Sequence, residues 1–286
     1  SSIEIHNDVW KIGILPETGA SLTYGQINHQ RQWVDIFRPT PEKAVNNPSN
    51  CASFLLIPWS NRIRDGRFTF EGKTHQLQTR PDGVAMHGVV RHLPWHVIEK
   101  SSSHSRLRFD SRDFTQVNFP FAFTSEVMYR LQNNKLVMTI DIKNVSESPF
   151  PAGFGHHPYF VRAIHGDEVQ VEIPYDKMFV LTDKMADAPP ISITDRLNFQ
   201  QQKPLGEREI DNLLTGKAQD KPIRMVYPNH GFQVQMHSGE IFKHIILFAP
   251  EGKPFYAIEP VTNANDGFNL FSKGVAGHGV FVLQPG

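Results

Sequence analysis

Four short stretches place chemically useful side chains in apolar, turn-rich surroundings. In Pro58-Trp59-Ser60-Asn61-Arg62-Ile63, Arg62 offers a planar fork of donors suited to sugar hydroxyls or a carboxylate. In Met86-His87-Gly88, a histidine before glycine at a strand end can face a cleft. Gly153-Phe154-Gly155-His156-His157-Pro158-Tyr159-Phe160 carries two adjacent histidines. Successive strand residues point to opposite faces, so only one of them can face a given pocket and a joint metal site from this pair is not expected. Tyr256-Ala257-Ile258-Glu259-Pro260-Val261-Thr262-Asn263 sets a carboxylate at the end of an apolar strand, with Pro260 expected to terminate it. Burial there would raise Glu259 toward the range of a general base. Taken singly, each of these residues is commoner in a purely structural role.

Other chemistries lose their anchors. The chain has no GxxxxGK[ST] loop, no HExxH and no GxSxG elbow, and Gly153-Phe154-Gly155 lacks the third glycine of a dinucleotide fingerprint. A single cysteine, Cys51, excludes an intrachain disulfide framework and a multi-cysteine zinc site. Lys+Arg and Asp+Glu are 29 each, so the formal charge is zero, which argues against nucleic acid or anionic lipid as a partner. No basic and apolar leader and no spanning apolar run is visible, so a soluble cytoplasmic protein is the expectation. Fourteen histidines on a neutral chain are the unusual feature.

The elements that must hold these residues are strands. Period-two alternation marks 107–110, 127–131 and 136–142, the last two flanking a hairpin turn at Gln132-Asn133-Asn134-Lys135. Further strand patterns fall at 68–70, 95–98, 169–173, 232–236, 244–248, 255–258 and 280–283, separated by turn signals such as Pro81-Asp82-Gly83 and Pro250-Glu251-Gly252-Lys253. No stretch shows an amphipathic helix of three turns. Residues 181 to about 220 carry little pattern and read as long loops. An all-β architecture follows, a large antiparallel sandwich formed by residues 1–286 as one domain.

With the motifs in this order, the chain resembles the aldose 1-epimerase (galactose mutarotase-like) family. The resemblance rests on Asn61-Arg62-Ile63 with Gly66-Arg67-Phe68 and Gly72; Met86-His87-Gly88 with Trp95; His157-Pro158-Tyr159-Phe160; Ile258-Glu259-Pro260 with Phe268-Asn269; and the closing Gly279–Gly286. It implies a β-supersandwich with a sugar site in a cleft and a cofactor-free, metal-free epimerase that interconverts the anomers of an aldohexose. By the same resemblance His157 is the general acid at the ring oxygen and Glu259 the general base at the anomeric hydroxyl. Arg62 and His87 bind sugar oxygens, and Asp211 in Ile210-Asp211-Asn212 matches the substrate-binding aspartate. Such chemistry suits one proton removed and one delivered.

The chain departs from the family pattern at His156, where asparagine is usual, and at Pro158, where serine is usual. Arg91, in His87-Gly88-x-x-Arg91, has a spacing similar to that of the hexose-6-phosphate epimerases, and Arg62, Arg64, Arg67 and Arg91 could then clamp a phosphate. The Asn61-Arg62-Ile63 context is closer to the neutral-sugar branch, which makes a neutral aldohexose the expected substrate. A hexose 6-phosphate, or a non-catalytic carbohydrate-binding protein on the same fold, are the alternatives.

Overall fold

A computed structural model describes residues 2–286. Eleven antiparallel strands form one large sheet. In spatial order its main path runs Ile3–His6, Trp10–Leu15, Ser21–His29, Ser53–Leu56, Gly155–Val161, Phe255–Val261, His244–Ala249, Ile210–Lys217, Tyr175–Met178 and Ile191–Ser192. Gln32–Asp35 pairs beside Ser21–His29. Two four-stranded sheets pack against it. One is a meander of His96–Lys100, His104–Asp110, Phe123–Gln132 and Lys135–Asn144. The other orders Lys203–Pro204, Gln170–Glu172, Ile223–Tyr227 and Phe232–Met236.

Alternation in the meander follows the sequence pattern. Leu107, Phe109, Phe123, Val127, Tyr129 and Leu131 are buried, while Arg106, Arg108, Glu126, Met128 and Arg130 between them are more exposed. The expected hairpin closes at Gln132↔Lys135 on a two-residue turn in which Asn133 takes a positive φ of 57°, a conformation asparagine tolerates better than most residues.

The large sheet buries both faces at its centre. Leu55, Ile57, Phe160, Tyr256, Ile258, Ile245 and Leu247 share one core with the two smaller sheets. Phe54, Leu56, Tyr159, Ala257, Val261, Ile246 and Leu213 form a second apolar cluster on the opposite face, joined by Phe179, by Ala186 of the short strand Met185–Ala186 and by Leu270 of a short helix.

Two sequence expectations need correction. The stretch read as long loops contains Ile210–Lys217, an eight-residue strand inside the large sheet. Its two faces are both covered, so hydrophobic alternation is lost and Leu213-Leu214 reads as an unpatterned run. Pro260 does not end its strand, which continues to Val261. Thr262 N–H donates to the Phe154 carbonyl at 2.9 Å, so even-numbered residues of the two facing strands carry the ladder bonds between them. Pro158 and Pro260 both fall on those positions without an N–H, and paired residues are missing between 156–158 and 258–260. As expected, no helix among the described residues reaches three turns: the single α-helix, Gly267–Ser272, follows the Glu259 strand and has six residues, too few to show a helical period in the sequence.

Candidate active site

His157 and Glu259 sit on adjacent central strands, directly across from each other by the register that pairs Gly155 with Val261 and Tyr159 with Ala257. Their side chains are 6% and 4% exposed, and His157 Nε2 lies 3.3 Å from Glu259 Oε2. The imidazole is wedged between the rings of Phe54 and Tyr159, each with its centroid 4.5 Å away. His156, one residue earlier, points to the opposite face, paired with Leu55 of the main core; its Nε2 is buried without a hydrogen-bond partner.

His87 meets the His157 ring edge-on at 5.5 Å and the Phe54 ring at 5.4 Å. Its position is set by backbone. His87 and Gly88 both take positive φ, 64° and 70°, which swings the chain out of the short strand Val84–Met86. A Cβ at position 88 would lie 2.0 Å from the Ile57 carbonyl oxygen, so only glycine lets these segments approach so closely. Arg62 pairs with Met86 across a two-stranded ribbon, and His87 N–H donates to the Asn61 carbonyl at 2.9 Å. Asn61, itself at φ 61°, accepts from both the Arg62 backbone (3.0 Å) and its Nη1 (3.3 Å) through Oδ1, which fixes the direction of the guanidinium. Thus the first two motifs lock to each other before either meets the sheet.

Asp211 reaches the same face from the strand Ile210–Lys217, where it shares alternation with Leu213 of the second cluster. Lys184 Nζ pairs with its Oδ2 at 3.1 Å. Burial drives Glu259 well above the ordinary carboxylate range, and the negative charge of Asp211 adds to the rise. Burial also drives His157 and His87 well below the ordinary histidine value. Neighbouring positive charges, Arg38 and Arg91 among them at His157, push the same way. Arg62 is lowered by burial and supported by Asp211. Glu259 and His157 are therefore both favoured in their neutral forms, a carboxylic acid beside an imidazole with one unprotonated nitrogen, so that the proton free to move between them sits on the carboxyl.

All five residues first assigned from the motifs, His157, Glu259, Arg62, His87 and Asp211, gather on this one face. Arg91 is buried nearby, its guanidinium 5.3 Å from the Phe54 centroid. The other two arginines of the supposed clamp do not join it. Arg64 is held by Asp187 at 3.3 Å and Asp266 at 3.6 Å, and exposed Arg67 donates to Gln76. Sequence reasoning missed Lys184 and Arg38. Arg38 lies over Tyr159 at 3.7 Å and over Phe255 at 4.5 Å. Both residues come from connecting segments with no motif to mark them. Among the described residues no cluster of His, Cys, Asp and Glu is arranged to hold a metal ion, and no helix is long and apolar enough to cross a membrane.

A profile described as aldose 1-epimerase matches residues 3–266. The chain belongs to the aldose 1-epimerase family. Among curated relatives, the uncharacterized protein YihR of Escherichia coli K12 is 24% identical over 236 residues, 80% of this chain and 75% of that protein. The uncharacterized protein YphB of the same organism is 21% identical over 246 residues, 82% of this chain and 81% of that one. Solved structures agree in fold. A galactose mutarotase-like protein from Clostridium acetobutylicum superposes with a TM-score of 0.86 at 20% identity, covering 99% of this chain and 90% of that one. A protein described as a putative aldose 1-epimerase from E. coli K12 gives 0.84 at 18%, covering 100% and 94%. The all-β fold of this chain is thus shared with both of these solved structures.

Proposed function

We propose that this member of the family is a mutarotase that interconverts the α and β anomers of an aldopyranose by acid–base ring opening, with no cofactor. The observation that carries the reading is the buried His157–Glu259 contact of 3.3 Å. The two reacting oxygens of a hemiacetal, O1 and O5, are bonded to one carbon and lie closer together than a hydrogen-bonded pair. Two groups this near each other can address both oxygens at once.

One proton can pass between the carboxyl and the unprotonated Nε2 of the imidazole, and the reaction needs one taken and one given. Passing it from Glu259 to His157 Nε2 gives a carboxylate and an imidazolium, a charge separation that sugar hydroxyls against Oε2 favour. The carboxylate then takes the O1 proton. A C1=O bond forms, the C1–O5 bond breaks with its electron pair going to O5, and the imidazolium protonates O5. Rotation about C1–C2 turns the other face of the aldehyde to the O5 hydroxyl. Closure runs the proton transfers backward and yields the opposite anomer. Arg62, His87 and Asp211 surround the pair with donors and an acceptor for the hydroxyls, and Lys184 fixes Asp211. Arg62 and His87 together with an acid–base pair favour catalysis over simple binding, since binding alone does not need matched proton affinities.

Polarimetry on freshly dissolved α-aldoses tests this. Wild-type protein should accelerate the approach to equilibrium, and Glu259→Gln and His157→Asn should each lower kcat by about 10²-fold or more. Rates in both variants near that of the wild type would remove the assignment, and sugar binding without acceleration would leave a carbohydrate-binding protein.

A further inference from the structure

The two edges of the meander sheet are built differently. His96–Lys100 closes one side with five residues and a register shift between Val97 and Glu99, an irregularity that discourages further pairing. Lys135–Asn144 closes the other side with ten residues, no proline and an unbroken register along its whole length. The outermost strands of the large sheet, Ile3–His6 and Ile191–Ser192, are short. A long, regular edge is what a monomeric β protein ordinarily avoids.

Backbone parity identifies the groups this edge leaves open. Val145 N–H donates to the Ala122 carbonyl at 3.1 Å, so odd-numbered residues bond toward the neighbouring strand Phe123–Gln132. The Asn144 carbonyl turns the other way and accepts from Gly286 N–H at 2.9 Å. Leu136, Met138, Ile140 and Ile142 therefore aim their backbone N–H and C=O groups away from the sheet, where no strand of the described residues pairs with them. Their side chains pack against the main core yet stay partly exposed. Between them, Lys135, Val137, Thr139, Asp141 and Lys143 are exposed on the outer face.

We propose that this edge pairs antiparallel with the same edge of a second copy of the chain, about a two-fold axis at Met138. The charges select that register. With the axis at Met138, Lys135 lies opposite Asp141 of the second copy, twice over by symmetry, and Val137 lies opposite Thr139. Leu136 meets Ile140 and Met138 meets its own counterpart, which covers the partly exposed margin of the core. These are also the residues whose backbone groups are open, so each opposed pair exchanges both ladder hydrogen bonds. An axis at Thr139 would set Lys135 against Lys143. An axis at Ile140 would set Asp141 against Thr139 and Lys143 against Val137, with no opposite charges in register. The formal charge of zero puts no net repulsion between copies. The meander packs on the face of the large sheet away from His157 and Glu259, so the pairing leaves the candidate active site uncovered.

Sedimentation velocity of the full chain over about 1–100 µM, the Kd range of a modest interface, tests the pairing. A monomer–dimer equilibrium is expected for the wild type. Lys135→Asp or Asp141→Lys alone sets like charges opposite each other at both symmetric contacts and should weaken association about tenfold or more. The double exchange Lys135→Asp/Asp141→Lys should return it to near the wild-type value. Both positions are exposed, and thermal melts of each variant separate a weakened interface from a damaged fold. The register has its own readout. Met138→Cys should form an intermolecular disulfide under mild oxidation, because residues opposed in a hydrogen-bonded pair have Cα atoms about 5.5 Å apart. Ile140→Cys should not, since it would stand roughly 13 Å along the strand from its counterpart. A wild-type chain monomeric throughout the range, association unchanged in both single variants, a double exchange no stronger than the singles, or an Ile140→Cys disulfide as ready as that of Met138→Cys would each overturn the proposal.

Discussion

On one face of the strand Gly155–Val161, His156 and Phe160 lie against the core shared with the two smaller sheets; on the other, His157 and Tyr159 lie against Phe54 and Glu259. Both histidines are buried, and burial lowers both below the ordinary value, His156 to about 3. The difference is in their partners. His156 Nε2 has none, whereas His157 Nε2 faces a carboxyl whose proton affinity is raised by the same burial. A perturbed histidine alone is a cost to the fold. Perturbed alongside a group shifted in the opposite direction, it has the matched proton affinity that the proposed acid–base mechanism requires.

The largest way to break this comparison is through activity. Glu259→Gln should reduce the anomerisation rate by about 10²-fold or more, as read by polarimetry, while His156→Leu should leave it close to that of the wild type. A second contrast is in stability. The unfolded chain protonates His156 near 6.5, and the folded chain does so only near 3. Stability is therefore fully present above about pH 6.5 and is lost as pH falls from there toward 3, at up to about 1.4 kcal/mol per pH unit for this group. Thermal melts at pH 5 and pH 8 should show His156→Leu stabilised by about 1–3 kcal/mol, with the larger gain at pH 5.

Glu259 runs the other way. Its folded proton affinity is raised, so the folded chain keeps a proton that the unfolded chain has lost above about 4.5, and stability falls as pH rises through that window. Glu259→Gln should gain about 1 kcal/mol in a melt at pH 8 and less at pH 4, a site in which function is held at the expense of stability. The smallest expected effect is at Lys184, 45% exposed in its pair with Asp211. Lys184→Met should raise KM by roughly 2–5-fold with kcat little changed, since a partly exposed ion pair contributes about 1 kcal/mol or less.

Much of this arrangement was legible in the residues. The opposite facing of His156 and His157 follows from period two alone, and the alternating meander strands read directly because one of their faces meets water. What could not be read has physical causes. The Asp211 strand lost its alternation because both of its faces are covered. Pro260 looked like a strand end because proline removes a ladder donor, yet here its missing N–H faces a stretch of the partner strand where the pairing is already interrupted, opposite His156 and Pro158. Arg38 and Lys184 are placed by long-range packing, and no spacing in the chain connects either one to His157 or Asp211.

The central claim is that one of two neighbouring histidines moves a proton and the other does not. Magnetisation exchange between the anomeric protons of an aldose, measured with equal amounts of wild-type, His157→Asn and His156→Leu protein, tests it most directly. The account requires enhanced exchange with wild type and His156→Leu and a return to nearly the spontaneous rate with His157→Asn. Equal exchange in the two variants, or none above the spontaneous rate with wild type on any aldose, neutral or anionic, would contradict it.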